Sequence, residues 1–166
     1  MRGAWARWTA GPLPYALAVL LALVLAGGGW AAVQAREAQA RAERDQAVLA
    51  AARQTAVDFL SLDYHSYDRD LKNVLSGATG GFKQQFSSQS QELSALVAQN
   101  RSVSQGQVIE AGILRADDGS ARVLVVADSQ VRNTRTPKGQ TLNYRLQLDL
   151  TRSGGRWLTS DLAFVS

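Results

Sequence analysis

The chain has 166 residues, 46% of them hydrophobic, no cysteine, and 18 basic against 14 acidic side chains for a formal charge of +4. With an apolar N-terminal segment set aside, that length suits one domain with a real core and is too short for two, and thiol and disulfide chemistry are excluded. Arg2 and Arg7 precede the apolar segment, residues 34–101 are charge-balanced, and residues 102–166 carry eight bases against six acids, so the clustered basic face of a nucleic-acid binder is absent.

Residues 1–12 form a short basic N-terminus. Trp8 to Ala35 carry no charge. Residues 13–33 meet the ~20 mostly apolar residues that a bilayer core requires and are expected to form a transmembrane helix. Arg2 and Arg7 favour a cytoplasmic N-terminus, and Trp30 stands where an interfacial aromatic anchors a span. Arg36, Arg41 and Arg44 follow the span and oppose that orientation. The expectation is a single-pass protein of the cell membrane with its C-terminal domain outside the cytoplasm. A cleaved signal peptide is the competing reading: Tyr15 to Ala26 has the length of a signal peptide's apolar region, and Ala38-Gln39-Ala40 has the small-x-small form of a cleavage site.

Ala31 to Leu62 reads as one helix, rich in Ala, Arg, Glu and Gln and free of Gly and Pro. Its first half is polar apart from alanine, so residues 34–50 are expected to form a helical stalk and residues 51–166 the folded domain. Val48, Leu49, Ala52, Ala56, Phe59 and Leu60 make an apolar stripe at helical spacing. Asp68 to Leu75 is a short second helix with Asp68 as its expected N-cap. Gly77 and Gly80-Gly81 interrupt the chain. Phe82 to Asn100 is a third helix, with Phe82, Phe86, Leu93, Leu96 and Val97 apolar.

From Ser102 the period changes to two. Val103, Ile109, Ala111 and Ile113 are the apolar members of a first strand. Asp117-Asp118-Gly119 turns the chain. Arg122 to Val131 is a second strand, and Thr136-Pro137-Lys138-Gly139 turns again. Leu142 to Leu150 alternates without error, the mark of a strand with one buried and one wet face. Ser153-Gly154-Gly155 leads into a last strand from Arg156 to Val165. Helices first and strands second indicate an α+β domain: about three helices packed on a curved four-stranded antiparallel sheet.

The densest polar-aromatic cluster is Asp63-Tyr64-His65-Ser66-Tyr67-Asp68. An Asp, Tyr and His in a pocket could do acid–base work, but an inter-helix loop with packed tyrosines is the favoured reading. His65 is the single histidine, so a multi-histidine metal site is excluded, and no calcium-loop spacing is present. Thr79-Gly80-Gly81 resembles part of a phosphate loop without its lysine, and reads better as a helix break. Arg132, Arg135 and Lys138 gather at a hairpin tip that could meet an acidic partner or lipid headgroups. Trp157 is expected to pack in the core. No catalytic, cofactor-binding or metal-binding residue is assigned, and no cofactor is expected.

Several stretches carry a resemblance. Phe59-Leu60-Ser61-Leu62-Asp63-Tyr64, then Asp70-Leu71, then Ala78-Thr79-Gly80-Gly81-Phe82, and the ending Arg156-Trp157-Leu158 with Asp161-Leu162 follow in an order similar to the Mce-associated membrane proteins of actinobacteria. The likeness covers about residues 12–166, and the extra glycine after Ala78-Thr79-Gly80 departs from it. The resemblance implies a soluble part similar to the cone of nuclear transport factor 2. It also implies a non-enzymatic accessory protein that assists or stabilises an Mce-type lipid import complex in the cell envelope. The expected partners are the membrane, Mce transporter subunits and a lipid, with no nucleic acid. A scaffold subunit of a type IV secretion-like machine and a small-ligand-binding cone are the alternatives.

Overall fold

A computed structural model of the chain describes the backbone over residues 12–165 and side chains from residue 34. The basic N-terminus and the side chains of the expected span at 13–33 lie outside the described residues. Among the described residues, no helix is long and apolar enough to cross a membrane. Seven elements follow in order: α1 (Pro12–Leu60), α2 (Tyr67–Ser76), α3 (Gly80–Gln99), β1 (Val103–Ala116), β2 (Ser120–Arg132), β3 (Gln140–Ser153) and β4 (Arg156–Phe164). They divide between two compact units, Met1–Ala42 and Glu43–Ser166. In the first, Arg41 and Glu37 pair at 3.2 Å one helical turn apart, an exposed contact that adds a few tenths of a kcal/mol at about 0.3–0.5.

The second unit is α+β, with three helical elements on a four-stranded antiparallel sheet in the order β1-β2-β3-β4. Short turns account for that order. Asp117 accepts the N–H groups of Gly119 and Ser120 between β1 and β2. Gly154 and Gly155 take positive φ values of 56° and 80° between β3 and β4, a conformation that glycine adopts without steric cost.

The inner sheet face is built from alternating positions. Ala121, Val123, Val125 and Ala127 of β2 and Leu146, Leu148 and Leu150 of β3 are all buried. Val48, Ala52, Ala56 and Leu60 of α1 pack on them, with Trp157 of β4 closing the cluster. The expected stripe thus places α1 across the sheet. The stripe also contains Thr55, whose buried hydroxyl accepts a hydrogen bond from Thr159 of β4 at 3.1 Å. Small side chains let the helix approach closely. The approach is tightest at Gly106 of β1, where an added Cβ would lie 2.6 Å from the Leu60 Cβ.

Strict alternation fails in β1. Ile109 shares the parity of its fellow apolar members Ala111 and Ile113, but it is 54% exposed. The β1–β2 ladder shifts register between Val108 and Glu110 and again between Ile113 and Arg115. Each bulge inserts one unpaired residue, Ile109 and Leu114, and the first puts Ile109 out of phase with the buried Ala111. A third bulge interrupts β3–β4 after Asp149.

The third helix ends in a Schellman arrangement. The N–H of Ser102 bonds the carbonyl of Val97 and that of Arg101 the carbonyl of Ala98, with Arg101 at φ 48°. Glycine usually occupies that left-handed position, and a side chain there costs about 1–2 kcal/mol.

Replacing Gly106 by alanine drives a Cβ into the end of α1. We expect Gly106→Ala to lose about 1–3 kcal/mol through overpacking, read as a lower urea midpoint. Gly112→Ala, with open space around its Cβ position, tests the steric cause. Equal losses at both sites would contradict it.

Candidate functional site

The cluster Asp63 to Asp68 lies in the connection between α1 and α2. Asp63 forms an isolated antiparallel bridge with Val103, and the Tyr64 N–H bonds the Ser102 carbonyl at 3.0 Å. Asp63 Oδ1 accepts the His65 N–H at 2.8 Å and lies 2.7 Å from His65 Nδ1. The backbone N–H of His65 is the main reason the Asp63 carboxyl is held below its usual range; burial opposes, and the His65 ring adds to the lowering. Tyr67 is buried and donates its hydroxyl to the Ser90 carbonyl of α3 at 2.9 Å. The loop therefore ties three elements together.

Asp68 is not the cap that its position suggested. It is exposed in the first turn of α2, and Ser66 holds the N-cap position without a side-chain cap bond. The buried carboxylate is Asp70. It accepts the Asp63 N–H at 3.0 Å and the Ser66 hydroxyl at 3.1 Å through Oδ2, and the Arg69 Nε–H at 3.3 Å through Oδ1. Local spacing favoured the earlier residue; the fold of the preceding α1–α2 loop decides which carboxylate is used.

The other expected positions are structural in setting. Thr79 is the N-cap residue of α3, and Gly80 takes φ 54°. Ala78 bridges Thr159 in parallel, and Thr79 donates to the Thr159 carbonyl at 2.8 Å. Arg132, Arg135 and Lys138 are exposed at the β2–β3 hairpin. Its tip is shaped by Asn133, which accepts from Arg135 N–H and Thr136 N–H. Trp157 is buried in the core. Among the described residues, no group of three or more His, Asp or Glu side chains is placed to hold a metal.

What the structure adds is an apolar cleft where α1 ends. Phe59 and Leu60 of α1 and Val97 of α3 face Val131, Leu142, Tyr144 and Phe164 across a space of about 330 Å³. That lies near the lower end of the ~300–1,000 Å³ of small-molecule sites. Phe59 also borders a smaller space of about 200 Å³ with Phe82, Phe86 and Leu162. It borders a third of about 350 Å³ with Phe86, Leu93 and Leu96. Its ring centroid lies 6.1, 5.9 and 6.1 Å from those of Phe82, Phe86 and Phe164. Tyr144 and Phe164 stand 5.9 Å apart. Phe164 remains 61% and Leu96 49% exposed.

Three serines also line the cleft where α1 ends, and two have committed hydroxyls. Ser129 donates to the Leu60 carbonyl at 3.0 Å and Ser104 to the Leu62 carbonyl at 3.1 Å. The residues lining this space include no carboxylate, imidazole or amine, and Asp63, Tyr64 and His65 are not among them. Its chemistry is thus apolar contact with an aromatic edge. Phe59, Leu142 and Tyr144 have the sequence signature of ordinary core positions. Nothing in the pattern separates a residue facing a filled core from one facing a void.

Two expectations follow from the loop. Asp70→Ala strips the buried acceptor from the Asp63 N–H and should cost about 1–3 kcal/mol, whereas the exposed Asp68→Ala should stay within about 0.5 kcal/mol; chemical denaturation compares them. Asp63, with a lowered folded-state pKa, contributes stability that is full above its unfolded value of 3.8 and is lost as pH falls through the folded value. The gap in urea midpoint between the native chain and Asp63→Asn should therefore be wider at neutral pH than in acid. A gap independent of pH would rule this out.

The fold is shared with solved structures of low sequence identity. The periplasmic domain of DotI matches with a TM-score of 0.62 at 18% identity, covering 73% of this chain and 94% of that one. An IcmL-like type IV secretion system protein from Legionella pneumophila matches at 0.58 and 15%, covering 70% and 88%. CagV, a VirB8 homologue from Helicobacter pylori, matches at 0.57 and 8%, covering 72% and 97%. In sequence, the protein Rv1363c of Mycobacterium tuberculosis is 31% identical over 137 residues, 82% of this chain and 52% of the relative. The chain thus spans about half the length of the curated relative it matches. A family model described as "Uncharacterized protein Rv1363c/MT1408-like" matches residues 12–166, and the chain belongs to that family.

Proposed function

We propose that the chain is a non-enzymatic accessory subunit of the cell envelope, held in the cell membrane by residues 13–33 with its α+β domain outside the cytoplasm. It works by contact with protein partners, and the machine it serves is an Mce-type lipid import complex. The single observation that carries this reading is the character of the cleft at Phe59. Its lining is aromatic and aliphatic, two of its three serine hydroxyls are bonded to backbone carbonyls, and it holds no carboxylate, imidazole or amine, with Tyr144 its single phenol. Acid–base catalysis relies most often on histidine or carboxylate side chains, and this lining offers neither, so it suits apolar contact. The apolar N-terminal segment supports an anchor, which raises the domain's effective concentration near membrane-bound partners. The resemblance in motif order to Mce-associated proteins supports the choice of machine.

A second reading keeps the architecture and changes the machine to a type IV secretion-like scaffold. The fold likeness to the periplasmic domain of DotI favours it, at an identity too low to transfer a role.

Affinity purification of the C-terminally tagged chain from native membranes in mild detergent separates these readings. We expect Mce-type substrate-binding proteins or their permeases to co-purify, identified by mass spectrometry. Recovery of secretion-machine components instead would establish the second reading. Recovery of no protein partner would overturn both.

A further inference from the structure

The apolar cleft and a group of cations meet at one end of the domain. Val97, Ser102 and Val131 line the cleft, and Arg101 and Arg132 are chain neighbours of the last two. Arg135 and Lys138 stand on the β2–β3 hairpin, whose Thr134 N–H bonds the Asn100 carbonyl at 2.9 Å. That bond holds the hairpin tip against the end of α3. All four cations are exposed. Two carboxylates of the α1–α2 loop are bonded locally: Asp63 to His65, and Asp70 to the Asp63 N–H, Ser66 and Arg69. The four exposed cations thus lie on the two chain segments, the end of α3 and the β2–β3 hairpin, that adjoin cleft-lining residues.

Arg101 adds an independent observation. Its φ of 48° is the left-handed conformation that closes α3, and a glycine there would be free of strain. The strained residue directly precedes the cleft-lining Ser102 in the chain and is itself exposed. Backbone strain of this kind concentrates at ligand sites.

We propose that the cleft takes the alkyl chain of a long-chain fatty acid, with its carboxylate among Arg101, Arg135 and Lys138. The committed hydroxyls of Ser104 and Ser129 leave the interior with little demand for polar partners, so an alkyl chain enters without stranding them. A carboxylate would be costly in that interior and is favoured at the cationic rim. This ligand class rests on the accessory reading of the cleft and deepens it.

Photolabelling tests the assignment. The full chain, purified in a non-ionic detergent, is irradiated with a diazirine-bearing palmitic acid, and labelled peptides are mapped by mass spectrometry. Label is expected on peptides containing Leu142, Tyr144 or Phe164. Leu142→Trp, which fills the cleft, should abolish it, while Leu124→Trp on the opposite sheet face should not. Arg101→Gly should raise the melting temperature by relieving the positive φ, yet reduce labelling about tenfold by removing a charged contact. A diazirine-bearing hexadecanol, with the same chain and no charge, should label weakly and ignore Arg101→Gly. Label confined to residues 13–33, equal labelling by the alcohol, or labelling unchanged in Arg101→Gly would each overturn the proposal. Recovery of transporter partners without cleft labelling would overturn the ligand and leave the accessory reading standing. Cleft labelling without partners would support the ligand and remove that reading.

Discussion

The seat of α1 on the inner sheet face is the contact on which the rest of the domain depends. Val48, Ala52, Ala56 and Leu60 present one stripe of modest volume to the leucines of β3 and the valines of β2. Because the stripe is small, the helix axis comes close enough for Gly106 to be the one β1 residue whose added Cβ would collide with Leu60. The same closeness lets Thr55 and Thr159 satisfy each other inside the core, where an unpaired hydroxyl would be costly. The end of α1 then sets the start of the loop at Ser61, whose hydroxyl accepts the Gly106 N–H at 2.9 Å. Helix, strand and loop are thus positioned by one approach.

The cleft is a consequence of where that seat ends. Beyond Leu60 no α1 residue remains to fill the space over Val131, Leu142 and Tyr144. Phe59 lies just before that boundary, half-buried, and three neighbouring spaces share it. Protein interiors pack densely, and large apolar voids are uncommon in them. This space is instead a cleft open to solvent, with an apolar lining and Phe164 61% exposed. Exposed cations at the end of α3 and on the β2–β3 hairpin stand on the same segments as the cleft-lining Ser102 and Val131.

The misread positions share one cause. Asp68 had the right residue type at the right offset for a cap, yet Asp70 faces the returning Asp63 N–H and is the buried carboxylate. Ile109 had the right parity for the core, yet a bulge turned it outward. The first depends on how the loop a few residues upstream folds over α2 and the second on the pairing of β1 with β2, and neither is marked in residue spacing. The turns were legible for the opposite reason. Asp117-Asp118-Gly119 and Gly154-Gly155 are specified by conformations and hydrogen bonds that span a few residues.

By itself, the sequence determined the number, order and type of the elements in the folded unit. Helical and strand periodicities, glycines at turns and the error-free alternation of β3 are local consequences of backbone geometry and solvent exclusion. It also determined that Trp157 and the α1 stripe would be core, since apolar area at those spacings has to be buried. Only the tertiary structure decided which carboxylate bonds across the α1–α2 loop, which apolar residues leave the sheet's inner face, and that Phe59 borders a void. A cleft arises from the mismatch between packed surfaces that come from different parts of the chain. No single segment encodes that mismatch, so it becomes visible only when α1, α3 and the sheet are brought together.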